Sequence, residues 1–237
     1  MAKPSWRGDY GRFAEPPPLP ALPAASPRPA LPKPNQLLAK LRAGELPIGH
    51  MIWEFASRGM ARVVAQSGVD FVVLDMEHGG LTIDTIWDQL SFFRAVETTV
   101  VVRIPDAEYS FVARCLDAGV QGIMCPNVRT MEQVEILAQA LLYPPEGDRG
   151  MGLGQAHTDL RATDEPLRYA LAANRNNLLI TQIESAEAIE IIDEIGAHPA
   201  VDVLWVGHMD LSARLGITGC AATSPTSRRV SSPLPAV

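Results

Sequence analysis

The chain has 237 residues and a net charge of −7 with a pI near 5.2. It is long enough for one α/β barrel or two small domains, and too acidic for nucleic acid or an anionic membrane to be its main partner. It is 47% hydrophobic and 20% charged, the balance of a soluble globular protein with a sizeable core; no apolar run approaches the roughly 20 residues that span a bilayer.

Residues 1–34 hold half of the 20 prolines, in runs such as PPPLPALP. Proline removes backbone donors and blocks helix and central strand alike, so an extended, disordered leader is expected. No signal-type apolar core occurs at the N-terminus. Cys115, Cys125 and Cys220 are odd in number with no close pair, which fits reduced thiols of a cytoplasmic protein and neither a disulfide frame nor a zinc site.

From Asn35 the texture becomes a strict alternation. Asn35 can cap a short helix that ends at Gly44. IGHMIWE (48–54) is the first expected strand, followed by a helix over 57–66. FVVLD (71–75), an apolar run bounded by Gly68 and Gly79-Gly80, reads as a buried parallel strand. Thr82 opens an amphipathic helix through Ile86, Leu90 and Phe93. TVVVRI (99–104), a helix over 109–118, VQGIMCP (120–126) and a helix over 130–142 follow. Residues 143–164 are long and rich in Gly and Pro, the texture of a functional loop. A helix over 166–173, LLITQIE (178–184), a helix over 186–195, VDVLWVG (201–207) and a helical turn at 211–215 complete the series.

Six strand–helix units in alternation predict an α/β fold with a parallel sheet. The economical closure is a (β/α)8 TIM barrel with about six of its eight units present. The expected organisation is a Pro-rich leader (1–34), a barrel (35–219) and an irregular tail (220–237) that reads like a foreign reading frame or a disordered end.

Barrel enzymes build their sites on the rim at the carboxyl ends of the strands. There stand Glu54; Asp75, Glu77 and His78; Arg103; Pro126 and Asn127; Gln182 and Glu184; and Asp210. Gln182 and Glu184 are two apart and share a face, which in a barrel points inward. Glu184 and Asp210 would then be two carboxylates from neighbouring strands, a donor set suited to a hard cation that keeps several waters, Mg²⁺ or Mn²⁺. The structural alternatives are a salt bridge from these acids to Arg103, an Arg103 that simply neutralises Asp75, and a His78 that caps the next helix. Arg149 is read as holding its own Gly-rich loop.

DMEH (75–78), VVRIP (101–105), YPPEGDRGMG (143–152), QIES (182–185) and GHMDLS (207–212) together resemble the signature set of the metal-dependent pyruvate aldolases, the 4-hydroxy-2-oxoheptanedioate aldolase and citrate lyase family. The likeness runs from about residue 38 to 219. It implies a class II aldolase on a phosphoenolpyruvate/pyruvate-binding-type barrel, using Mg²⁺ or Mn²⁺, with Co²⁺ as a further candidate. Such enzymes are usually hexameric and cleave 4-hydroxy-2-oxo acids to pyruvate and an aldehyde. By position, Glu184 and Asp210 resemble the metal ligands, and Arg103 the arginine on the pyruvate C2 oxygen. His78, oriented by Asp75, resembles the base that moves the hydroxyl proton. Gln182 and the amides around Met209 and Asp210 resemble the carboxylate pocket.

The chain departs from the family pattern in three places. His208-Met209 replaces a common Pro-Ala, the loop GLGQAHTD (152–159) brings His157 within reach of substrate, and the last two strand–helix units are absent. Those final helices contribute to subunit packing in the family, so a homo-oligomer loses part of its contact surface here. The alternatives are a citrate-lyase-like or malyl-CoA-like lyase acting on a thioester, and a truncated, inactive paralogue with two exposed sheet edges.

Overall fold

The apolar runs become six strands of one parallel sheet: β1 (Gly49–Ile52), β2 (Phe71–Asp75), β3 (Thr99–Arg103), β4 (Gly122–Cys125), β5 (Leu178–Ile183) and β6 (Val203–Val206), in the order of the sequence. The computed structural model describes residues 31–161 and 163–218. The leader and tail expected from sequence therefore lie outside the described residues, apart from 31–34.

Helices α1 (Gln36–Arg42), α2 (Met60–Ser67), α3 (Ile83–Phe93), α4 (Tyr109–Asp117), α5 (Met131–Leu141), α6 (Pro166–Asn174), α7 (Ala186–Glu190), α8 (Ile192–Ala197) and α9 (His208–Arg214) fill the connections. Among the described residues β1 and β6 pair only with β2 and β5, so the sheet is an incomplete barrel with two open edges. Trp53 and Phe55 beyond β1, and Trp205 and Val206 in β6, are exposed there.

Alternation along the strands sorts side chains between two cores. Val72, Leu74, Val100, Val102, Ile123, Leu179 and Ile183 face the helices. Phe71, Val73, Val101, Met124, Leu178 and Ile180 face the concave side, where Leu37 and Leu38 of α1 plug the N-terminal end. Hydrophobic burial of this kind is worth about 1.5–3 kcal/mol per large side chain. Apolar packing thus seals one end of the interior, and polar groups are left to the other.

Three elements differ from expectation. The helix over 186–195 is two, α7 and α8, because Ile191 leaves the helical region at φ −114° and ψ 17°. The helix expected at 211–215 begins earlier, at His208, with Gly207 as its N-cap. The chain is also anchored before Asn35: Lys33 Nζ donates to the Phe93 carbonyl at 3.2 Å, and Gln121 Nε2 donates to the carbonyls of Lys33 and Pro34 at 3.1 and 2.8 Å.

Asn35 ties this end together. Its Oδ1 accepts from the Leu38 N–H at 3.1 Å, capping α1, while its Nδ2 donates to the carbonyls of Gln121 and Asn176 at 2.9 and 2.8 Å. Asn35→Ala removes a cap worth about 1 kcal/mol and strands buried carbonyls at about 1–3 kcal/mol. A loss of about 2–3 kcal/mol is expected, seen as a lower urea midpoint at unchanged m-value.

Candidate active site

Asp75 and Arg103 are register partners at the carboxyl ends of β2 and β3. Both face the concave side, two residues on from Val73 and Val101. Asp75 is fully buried and Arg103 nearly so. Arg103 Nε donates to Asp75 Oδ1 at 2.8 Å and Nη2 donates to Oδ2, a two-pronged ion pair. The Glu77 and His78 backbone N–H groups also donate to Asp75 Oδ1, at 2.9 and 3.3 Å. Burial alone would raise the Asp75 pKa, but these donors more than offset it and hold the carboxyl below its usual range. Arg103 Nη1 lies 3.2 Å from Glu77 Oε2. Glu77 nonetheless titrates above the usual carboxylate range, because burial outweighs Arg103 and the charges of Glu184 and Asp75 add to it.

Glu184 stands just past β5, 4% exposed. Its Oε1 accepts from Gln182 Nε2 at 2.7 Å and its Oε2 from the Asn127 N–H at 3.1 Å. A Cβ on Gly207 would fall 2.2 Å from Oε1, so only glycine lets α9 begin this close to the carboxylate. Arg214 Nη1 donates to the Glu184 carbonyl at 3.2 Å from the far end of the same helix. Asp210 lies in the first turn of α9, exposed to solvent like Met209.

The charges here do not balance. Asp75, Glu77 and Glu184 gather about one guanidinium, and among the described residues Glu184 forms no ion pair. Asn127 Oδ1 and Gln182 Oε1 are buried without a hydrogen-bond partner. Surplus negative charge and unpartnered oxygen acceptors fit a hard divalent cation with its water shell. No group of three or more His, Cys, Asp or Glu side chains is arranged for a metal among the described residues; Asp210, the acid expected to pair with Glu184, is on the exposed first turn of the adjoining helix.

The strand ends thus bring Asp75, Arg103, Gln182 and Glu184 together, with Met209 and Asp210 on the helix that abuts Glu184. His78 differs from the expectation in one respect. Asp75 bonds its backbone rather than its ring, because both carboxylate oxygens are committed to Arg103; the exposed imidazole has Glu77 Oε1 3.7 Å from Nε2. His157 is not on this rim. It follows α5, so its loop lies at the opposite end of the strands, where Nδ1 donates to the Asp117 carbonyl at 3.2 Å. Arg149 pins the same loop through Asp117 Oδ1 at 2.7 Å and covers the Tyr143 ring. Asn127 also stands on this rim; its left-handed backbone, φ 54°, is a feature no short motif announces.

The family described as HpcH/HpaI aldolase/citrate lyase matches residues 51–226. The chain belongs to this family. The match continues past Gly219, where the likeness read from motifs stopped. A 4-hydroxy-2-oxovalerate aldolase from Novosphingobium aromaticivorans is 35% identical over 192 residues, covering 79% of this chain and 70% of that protein. A 5-keto-4-deoxy-D-glucarate aldolase from Escherichia coli K12 is 33% identical over 190 residues, 80% and 72% of the two chains. The crystal structure of an HpcH/HpaI aldolase from Desulfitobacterium hafniense superposes with a TM-score of 0.75 at 32% identity, covering 81% of this chain and 73% of that one. This member of an aldolase and lyase family is an α/β protein in which no described helix is long and apolar enough to cross a membrane.

The depressed Asp75 makes a prediction about acid. A carboxyl held below its unfolded value of about 3.9 contributes stability above that value and loses it as pH falls through the folded one. Glu77, raised, has the opposite sign: its contribution is present at low pH and is lost as pH rises past the ordinary carboxylate range. Urea unfolding from pH 6 down to pH 2 should therefore show a steep acid loss in the parent below pH ~4 and a shallower one in Asp75→Asn. At neutral pH the same variant should cost about 3–5 kcal/mol by leaving Arg103 without its buried partner.

Proposed function

We propose that the chain is a divalent-metal-dependent pyruvate aldolase on a phosphoenolpyruvate/pyruvate-binding-type barrel, reversibly cleaving a 4-hydroxy-2-oxo acid to pyruvate and an aldehyde. The observation that carries this reading is the inward Glu184 carboxylate, free of any described ion pair, on the same rim as the buried Arg103–Asp75 pair. Their charges are close enough that Glu184 helps to raise the Arg103 pKa.

Retro-aldol cleavage leaves negative charge on the 2-oxo oxygen of the pyruvate unit, so positive charge must already be aimed there. Glu184 and Asp210 would hold the cation. Bound there, Mg²⁺ or Mn²⁺ supplies a Lewis acid beside that oxygen. Arg103 adds a guanidinium whose direction is fixed by Asp75, so little reorganisation is needed as charge develops. The N–H groups at the start of α9, around Met209 and Asp210, would receive the substrate carboxylate, with Gln182 lining the pocket beside it; the first N–H groups of a helix have no partners within it. The His78 imidazole, at the mouth and open to solvent, would take the 4-hydroxyl proton directly or through water, its ring steadied by Glu77 rather than Asp75.

The test is retro-aldol turnover of a 4-hydroxy-2-oxo acid, with pyruvate read by lactate dehydrogenase, alongside a CoA-thioester control. Activity should vanish on chelation and return with Mn²⁺ or Mg²⁺. Glu184→Ala should abolish metal-dependent pyruvate formation, whereas His78→Ala should slow turnover by about 10²–10⁴-fold and leave Mn²⁺ binding intact. Full activity in the Glu184 variant would refute the assignment.

A further inference from the structure

Asn127 is the residue at which the chain leaves β4 and Pro126 and turns into the left-handed region. Glycine occupies that region with least strain and asparagine is the best tolerated alternative. In this pose the backbone N–H of Asn127 donates to Glu184 Oε2 at 3.1 Å. Its side-chain oxygen is buried and has no hydrogen-bond partner. Gln182 repeats the arrangement from the next strand. It is 2% exposed, its Nε2 donates to Glu184 Oε1 at 2.7 Å, and its own oxygen is likewise buried and unpartnered.

Each residue thus gives one donor to Glu184 and keeps one buried acceptor without a partner. A buried acceptor with no donor costs about 1–3 kcal/mol. Glycine at 127 would supply the same N–H to Glu184 without that cost and with less backbone strain. The asparagine side chain therefore points to a guest that brings donors of its own.

We propose that Asn127 is a further member of the cation site, fixing Glu184 through its backbone N–H and accepting, at its side-chain oxygen, a hydrogen bond from the water shell of the bound ion. The proposal rests on the metal-dependent reading above. Hard divalent cations shed their waters reluctantly, and groups that hold those waters and orient the ligands typically set affinity by 10–100-fold.

The experiment is Mn²⁺ binding without substrate, followed by the electron paramagnetic resonance signal of the free ion, on the full chain and on Asn127→Gly, Asn127→Asp and Glu184→Gln. Asn127→Gly keeps the left-handed backbone and its N–H and loses the unpartnered oxygen, so its melting temperature without metal should be no lower than the parent's while its Mn²⁺ affinity falls about tenfold or more. Asn127→Asp restores an oxygen at the same place and should bind Mn²⁺ more tightly than Asn127→Gly. Asn127→Gly binding Mn²⁺ as tightly as the parent, or Asn127→Asp binding no better than Asn127→Gly, would overturn the proposal and leave the metal reading standing. A parent chain that binds no Mn²⁺, or a Glu184→Gln variant that binds it unchanged, would overturn both.

Discussion

The buried ion pair between Asp75 and Arg103 fixes what this rim can do. Two charges taken out of water are tolerated only when geometry and extra hydrogen bonds compensate, and here the compensation is complete on one side. Asp75 receives two bonds from Arg103 and two from the loop that begins with Glu77. The same bonds therefore set the direction of the guanidinium and the path of the loop that carries His78. Removing either partner would disturb the positive group and the proton-transfer group together, although they sit on different strands.

Around that pair the polar layer is supported by close backbone approach. Gly207 lets α9 start against Glu184, so the helix that carries Met209 and Asp210 is placed by the absence of a side chain. The surplus carboxylates and unpartnered oxygens beside it are costly in the folded chain alone, and such a cost is tolerable where a ligand relieves it. At the opposite end of the strands the interior is apolar and closed by Leu37 and Leu38. The contrast between a sealed, greasy end and a charged, open one is already a functional polarity.

Much of this was legible in the residues. FVVLD and TVVVR become strands at the expected places because short apolar runs rich in β-branched residues have few alternatives. The two-residue spacing of Gln182 and Glu184 gave their common inward face. The partner of Asp75 was less accessible. Sequence places Asp75, Glu77, His78 and Arg103 at one rim, but which donor takes the carboxylate depends on strand register, and β2–β3 register sets Arg103 opposite Asp75. His157 differs for a related reason: a Gly-rich loop looks functional in isolation, whereas its position after α5 puts it at the opposite end of the strands. Asn127 needed coordinates, since nothing in CPNVRT states that the asparagine turns left-handed.

Asn35 lies 141 positions before Asn176, yet it donates two hydrogen bonds to it, from its backbone N–H to Oδ1 and from its Nδ2 to the carbonyl. During synthesis the opening helix leaves the ribosome long before the segment that receives it exists. Its leucines must wait, unsheltered, while most of the chain is translated, and the interior they stopper can be finished only after β5 has been made. The first helix of the sheet-and-helix series is thus among the last to find its seat.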